Sequence, residues 1–194
     1  IKNYLSPFTR YQQEKFLKLW LVVSNLNNLL PYLSRPINLI IIFSIVYVFS
    51  LPPFGVSVFY YISFSIIFYN ILTNDNFSKK YIFYFFLFTQ IITLSWITQS
   101  FYSGGFGYLF LGIILVGVLS LFIAFLHYSA TILILVTFKK KLLQIFLLPL
   151  GLSIVEILKE FIFGGFPWNP SAIIYYKNIW ILKSLPFLGV YGLG

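Results

Sequence analysis

Long apolar runs, separated by short polar or glycine-containing loops, dominate the chain from residue 37 onward. Five runs have clear limits and a sixth begins near Ile179; the five cover residues 37–50, 56–72, 80–99, 106–138 and 142–163. About 20 helical residues cross the hydrocarbon core of a bilayer, whereas the strands of outer-membrane barrels are shorter and alternate apolar with polar residues. The pattern therefore predicts an all-α integral membrane protein, a polytopic bundle of about five to six transmembrane helices.

Residues 1–36 have a different character, because basic side chains are mixed there with aromatics and leucines. The pattern over residues 11–30 fits an amphipathic helix on the membrane surface, and a partly ordered basic tail fits it equally well. We therefore predict two regions: a basic N-terminal tail or interfacial helix at 1–36, and a transmembrane helical domain at 37–194. The sequence starts with isoleucine and contains no methionine, so we expect it to be part of a longer chain.

Basic residues are clustered in every second loop. They occur in the N-terminal tail, at Lys79 and Lys80, and at residues 139–141, whereas the loops at 51–55 and 100–107 contain none. Loops on the cytoplasmic side of a membrane carry an excess of lysine and arginine. The N-terminus and both lysine loops are therefore predicted to be cytoplasmic, and the LPPFG, SGGFG and GGFPWNP loops to lie on the opposite side.

Composition narrows the possible chemistry. The chain is 60% hydrophobic and 9% charged with a net charge of +9, but its short basic clusters give no continuous basic face of the kind that binds nucleic acid. The lack of cysteine excludes disulfides, thiolate metal sites and a cysteine nucleophile within these residues. The single histidine, His127, provides no metal cluster and is interpreted as a satisfied intramembrane polar residue, so neither a metal nor a cofactor is expected. Gly112, Gly117 and Ser120 are predicted to allow close helix packing.

The stretch EILKEFIFGGFPWNP, residues 156–170, places ionisable groups inside an apolar run. Glu156 and Glu160 share one face of a helix, with Lys159 three residues after Glu156. Glu156 lies roughly 10 Å from the end of the run at ~1.5 Å per residue, a depth at which an unpaired charge costs a few kcal/mol. Two interpretations stay open: a structural Glu156–Lys159 ion pair with Glu160 reaching to the surface, or a pair that holds a substrate headgroup or braces a loop.

The GGFPW segment at the end of this run has a mechanical interpretation. Two glycines end a helix and permit a positive φ, and the prolines stiffen the connection. The rings of Phe166 and Trp168 favour the headgroup level of a bilayer. Taken alone, the segment is explained by an interfacial anchor loop.

Four loop motifs together resemble one family. EILKEFIFGGFPWN resembles the pattern Glu-x-x-Arg followed by Gly-Phe-Pro-Trp-Asn in the membrane domain of bacterial apolipoprotein N-acyltransferases, and LGVYGLG is similar to that family's Gly-Val-Tyr-Gly-Leu-Ser. LPPFG resembles its Ala-Pro-Phe-Gly turn, and SWITQSFYSGG its Trp-(Ile/Val)-x-x-Ser-(x)n-Gly stretch. The resemblance covers roughly residues 38–194 in the same order. Lys159 stands where the family usually has arginine, Glu160 where a small residue is common, and Gly194 replaces a serine.

The resemblance implies a multi-pass enzyme of the bacterial inner membrane that acts in lipoprotein maturation. It implies transfer of an acyl chain from a phospholipid donor to the N-terminal diacylglyceryl-cysteine of a diacylated apolipoprotein. In the family, a periplasmic nitrilase-like domain with a Glu-Lys-Cys triad forms a thioester acyl-enzyme and follows the helices. The residues here then correspond to the membrane half, and this segment alone is predicted to be inactive because it lacks the cysteine.

The resemblance also gives residues 156–170 a role. It implies that Glu156 and Lys159 brace the top of the fifth helix as a structural ion pair. It further implies that Phe166, Pro167, Trp168 and Asn169 contact substrate lipid below the catalytic domain.

A small polytopic transporter or membrane scaffold without catalytic activity is the alternative interpretation. It accounts for the hydrophobicity, the intramembrane charges and the lack of a nucleophile. It leaves the ordered set of four loop motifs unexplained, so the sequence favours the acyltransferase.

Overall fold

The computed structural model describes residues 35–74, 77–165 and 169–193, and all regular structure within these ranges is helical. The helices are α1 Pro36–Val48, α2 Val58–Thr73, α3 Lys80–Leu94, α4 Ile97–Tyr102, α5 Phe106–Thr137, α6 Lys141–Ile162, the 3-10 helix Ser171–Tyr175, α7 Ile179–Leu182 and α8 Leu185–Leu193. The chain divides into two compact units, Ile1–Leu39 and Ile40–Gly194, and the second contains all four loop motifs. The predicted interfacial helix at 11–30 lies outside the described residues.

Most of the predicted apolar runs are single helices. The runs at 37–50, 56–72, 106–138 and 142–163 correspond to α1, α2, α5 and α6, with every end within two residues of its expected position. The longest, α5, is unbroken over 32 residues, about 48 Å at ~1.5 Å per residue. Helices α5 and α6 are long and apolar enough to cross a membrane, while α1, α2 and α3 are shorter apolar helices. The all-helical prediction is confirmed for the described residues.

The prediction of one helix over residues 80–99 is wrong, because α3 ends at Leu94 and α4 begins at Ile97. Hydroxyl groups at the break donate to nearby carbonyls: Ser95 Oγ to Ile92 O at 2.8 Å and Thr98 Oγ1 to Ser95 O at 2.6 Å. Such side chains compete with the helical backbone bonds and favour a turn. The apolar composition of the run gave no indication of this break.

The sixth run begins at Ile179 as expected, but it is not one helix. A short interval after Leu182 separates α7 from α8, and Gly189 inside α8 is non-helical with φ 70° and ψ 175°. Glycine accepts this backbone conformation because it has no Cβ. The segment therefore folds as two short helices with an internal kink.

Aromatic side chains of α3 lie at the centre of the bundle. Phe85 and Phe86 are buried in one cluster with Ile67 of α2, Ala124 of α5 and Leu152 of α6. Phe85 also meets Phe64 of α2 edge to face, with ring centroids 5.5 Å apart, a favoured aromatic geometry. Helix α3 therefore packs against α2, α5 and α6 on its buried side.

Close helix packing depends on particular small residues. A Cβ built on Gly112 would lie 2.9 Å from the ring of Phe101 in α4, and a Cβ on Gly151 of α6 would collide with Cδ1 of Ile134 in α5. A Cβ on Gly117 would meet nothing within 4 Å. The packing prediction is thus confirmed at Gly112 and wrong at Gly117, which faces open space, while Gly151 is a contact that the sequence did not single out.

We expect Gly151→Leu to lower the thermal stability of the detergent-solubilised chain, because overpacking at a tight contact costs about 1–3 kcal/mol. Gly117→Leu is the matched control: it adds the same side chain to open space and removes a helix-weakening glycine. Its melting midpoint, followed by tryptophan fluorescence, should equal or exceed that of the parent. Equal losses for the two variants would contradict the close contact between α5 and α6.

Candidate functional site

Helix α6 ends in a Schellman motif. The N–H of Gly165 donates to the carbonyl of Glu160 at 2.8 Å, and the N–H of Gly164 lies 3.5 Å from the carbonyl of Phe161. Gly164 has φ 66° and Gly165 φ 93°, and a left-handed residue at this position is usually glycine. The prediction that the two glycines end the helix is confirmed, and the loop at 166–170 starts directly from this cap.

A buried cluster of polar side chains lies about one to two turns before that cap. Lys159 Nζ donates to Glu156 Oε1 at 2.8 Å, and His127 Nε2 of α5 lies 3.4 Å from the same oxygen. Lys159 is 1% exposed and Glu156 7% exposed. Glu156 Oε1 therefore contacts Lys159 on its own helix, α6, and His127 on the neighbouring helix, α5.

The surroundings fix the His127 ring. Nδ1 lies within hydrogen-bonding distance of the carbonyl of Ile123, at 2.9 Å, while Phe86 of α3 stacks on the ring at a centroid distance of 5.1 Å. The carbonyl of His127 accepts a hydrogen bond of 2.8 Å from Thr131 Oγ1. With one nitrogen bound to its own helix and one face covered, the ring presents Nε2 to Glu156. His127 is thus a satisfied buried residue within the described part of the chain.

Glu160 makes a separate contact on the next turn. Its Oε2 accepts a hydrogen bond from the hydroxyl of Tyr191 in α8, and Glu160 is half-buried. Tyr191 belongs to the LGVYGLG segment, so this bond joins two of the four motifs on which the family resemblance rests. The two glutamates of α6 therefore have different partners: Glu156 faces α5, and Glu160 faces α8.

Of the predicted lipid-contacting residues, Asn169 lies within the described part of the chain, whereas Phe166, Pro167 and Trp168 lie outside it. Asn169 has φ 42°, and its Nδ2 donates to the carbonyl of Thr93 at 3.1 Å. Asparagine tolerates this left-handed conformation better than most residues. The far side of the GGFPWN loop is thereby attached to the end of α3.

The LPPFG turn is bound to the segment that follows this loop. Lys177 Nζ donates to the carbonyls of Pro53 at 3.0 Å and Phe54 at 2.7 Å, and the hydroxyl of Tyr176 donates to Pro53 O at 2.7 Å. A Cβ at Gly55 would collide with the ring of Tyr176. The turn after α1 and the chain beyond the 3-10 helix therefore fit each other closely at one end of the bundle.

Sequence reasoning missed three of these contacts. It named Glu156 and Lys159 as a pair without His127, and it assigned no partner to Glu160 and no role to Lys177. A signal was present for the first: polar groups on adjacent apolar helices pair, since hydrocarbon offers no other partner. The others join residues distant in sequence, and no local spacing indicates them.

No group of three or more histidine, cysteine, aspartate or glutamate side chains that could hold a metal ion occurs in residues 35–74, 77–165 and 169–193. The polar cluster instead combines one carboxylate, one ammonium and one imidazole in the interior of a helical bundle. Its geometry suits structural bracing beneath a loop.

The structure is thus that of a helical protein with an apolar exterior. Its polar cluster of Glu156, Lys159 and His127, called the brace below, lies about one to two turns before the GGFPWN loop. The family description that matches this chain is "Apolipoprotein N-acyltransferase N-terminal domain", over residues 43–194. The chain belongs to this family, and the matched range includes the brace and all four loop motifs. No curated protein and no solved structure matches the chain.

We expect Lys159→Met and Glu156→Gln each to reduce the yield of folded protein, because removing one partner of a buried pair leaves an uncompensated charge and costs about 3–5 kcal/mol. The double variant should recover part of the yield, since both charges are gone. Lys140→Met, at an exposed lysine, is the control and should behave like the parent. Size-exclusion yield after detergent extraction is the measurement, and strictly additive losses would contradict the pairing.

Proposed function

We propose that this chain is the membrane part of an enzyme that moves an acyl chain from a phospholipid to the N-terminal diacylglyceryl-cysteine of lipoproteins. The observation that carries the proposal is the family match over residues 43–194. We place the protein in the bacterial inner membrane with a phospholipid donor and a diacylated apolipoprotein as partners. The acyl transfer itself is assigned to the nitrilase-like domain that the family resemblance implies.

The exterior of the helices supports a position within the bilayer. Large apolar side chains are exposed along the outward-facing sides of α5 and α6, among them Phe125, Leu133, Ile145 and Phe146. Water disfavours contiguous apolar surface of this kind, whereas lipid does not. We propose five to six membrane crossings, with α1, α2 and α3 as crossings in addition to the two longer helices.

The grouping of loops supports a cytoplasmic N-terminus. At one end of the bundle, Leu72, Lys79, Leu135 and Gln144 enclose a cavity of about 330 Å³, so the two lysine loops are neighbours there. Gln144 Nε2 also donates to the carbonyls of Leu135 and Phe138 at 3.3 and 2.5 Å. The LPPFG turn and the GGFPWN loop are at the ends of the same helices away from this cavity. We assign the lysine end to the cytoplasm by the positive-inside rule.

The GGFPWN loop is held at both of its ends. The loop begins at a rigid helix cap above the Glu156–Lys159–His127 cluster and ends at Asn169, which is bonded to α3. A loop held at both ends can present its side chains at a fixed height. We propose that Phe166, Pro167, Trp168 and Asn169 form a rim that contacts substrate lipid, and that Glu156 and Lys159 hold the rim in position.

The proposed orientation predicts which residues an impermeant thiol reagent reaches in intact cells. The sequence contains no cysteine, so single cysteines report cleanly. Phe54→Cys, in the exposed LPPFG turn, should be labelled from outside, and Lys140→Cys should be labelled only after the membrane is permeabilised. Labelling of Lys140→Cys in intact cells would overturn the orientation.

The proposed rim predicts a specific loss in a lipid-dependent acylation assay with the protein expressed from its own gene. Trp168→Ala should leave the folded yield nearly normal and lower the acylation rate roughly fivefold to tenfold, as expected when an aromatic contact to a ligand is truncated. Trp180→Ala is the matched control, since Trp180 is an exposed tryptophan outside the motif, and neither quantity should change.

Two results of this assay would contradict the proposal at different levels. If Trp168→Ala lost yield and rate in equal proportion, the loop would be a structural anchor and not a lipid contact. If the parent protein acylated no diacylglyceryl peptide, the acyltransferase assignment would be wrong. Residues 1–194 alone should give no product above background, because the thioester route needs a thiol.

A further inference from the structure

A long groove follows the outside of the bundle between α2 and α6. Its volume is about 600 Å³, within the ~300–1,000 Å³ typical of small-molecule sites. One rim is the row Tyr61, Ser65, Tyr69 and Thr73, and the other is every fourth residue of α6 from Lys141 to Ser153. Residues at this spacing lie above one another on a helix. Each rim therefore runs the whole length of the groove, about 18 Å at ~1.5 Å per residue.

The floor of the groove is apolar. Phe64 and Phe68 of α2 face Leu148 and Leu152 of α6, and these four side chains are buried or half-buried. A narrow channel with such walls suits a hydrocarbon chain, because apolar contacts need no hydrogen-bond partners. The α2 rim also carries hydroxyl groups, which allow a few polar contacts with a ligand along that side.

One end of the groove carries a positive charge. Lys141 forms part of the lining and is exposed, and no carboxylate in the described ranges lies within ion-pair distance of it. Tyr69 and Thr73 lie at the same end of the groove as Lys141, because the last turn of α2 and the first turn of α6 border a common cavity. The hydroxyl of Thr73 already donates to the carbonyl of Tyr69 at 2.7 Å, so the donor assigned to a phosphate at this end is the Lys141 ammonium.

We propose that this groove binds an anionic phospholipid from the leaflet on the lysine-loop side, with the phosphate at Lys141 and one acyl chain along the floor. This lipid is distinct from the acyl donor, which is expected on the opposite side of the membrane. The inference depends on the proposed embedding in a bilayer and is independent of the acyl transfer. An anionic headgroup is favoured over a neutral one because the lysine loops, including Lys139 and Lys140, add positive potential at the same end.

Lipid-specific fluorescence quenching in vesicles tests the site. A bimane label is attached to Tyr69→Cys on the groove rim, or to Leu133→Cys on α5 as the matched control. The two native residues are 67% and 68% exposed, and each precedes the lysine-side end of its helix by four positions. The chain is reconstituted in phosphatidylcholine containing either brominated phosphatidylglycerol or brominated phosphatidylcholine at equal mole fraction.

The expected result is a preference for phosphatidylglycerol at position 69 of about fivefold in apparent binding, the effect of one lysine near a membrane surface. The preference at position 133 should be close to one. Lys141→Gln should abolish the preference at position 69, whereas Lys139→Gln removes the same charge from the same loop outside the groove lining and should leave most of it.

Three results would contradict the proposed lipid site, and each would point to a different cause. If Lys141→Gln and Lys139→Gln reduced the preference equally, the preference would come from the general positive surface potential and not from a site at Lys141. Quenching at position 133 without quenching at position 69 would mean that protein fills the groove, either residues 1–34 or a second copy. Absence of quenching at both positions would instead contradict the proposed embedding itself, independently of any acyltransferase activity.

Discussion

A lysine can be buried in the apolar interior of this bundle because a carboxylate lies next to it. Lys159 is nearly inaccessible, and its ammonium would be strongly unfavourable in an apolar interior without the carboxylate of Glu156. The same carboxylate oxygen lies 3.4 Å from His127 Nε2, so the pair is in contact with α5 as well as with its own helix. The glycine cap at Gly164 and Gly165 follows these turns directly along the chain.

Packing around the brace is consistent with the same constraint. Phe86 of α3 covers the His127 ring, and Ile134 of α5 lies over Gly151 of α6, where a side chain would collide. Association of helices in lipid depends on close packing and on interhelical hydrogen bonds, since burial of apolar surface supplies little driving force there. The brace supplies the hydrogen bonds and Gly151 supplies the close approach. Helices α5 and α6 are therefore fixed to each other at two levels.

The family match covers all of these features. The matched range includes the brace, the GGFPWN loop and the LGVYGLG segment, and the Glu160–Tyr191 bond connects the last two through α6. At the same end of the bundle, Lys177 and Tyr176 hold the LPPFG turn by its carbonyls. Motifs that are dispersed along the sequence are thus joined by hydrogen bonds into one platform. The groove between α2 and α6 extends from this region toward the opposite, lysine-rich end.

The sequence by itself determined the helical class, the limits of α1, α2, α5 and α6, and the glycine cap at Gly164. These features follow from local causes: the length of apolar runs and the φ values that only glycine accepts readily. The tertiary structure decided the helix break after Leu94, the pairing of His127 with Glu156, and the contacts of Tyr191 and Lys177. Each depends on which helix faces which, and α1, α2, α3 and α5 are apolar on nearly every face, so they give no periodicity from which the facing sides can be deduced.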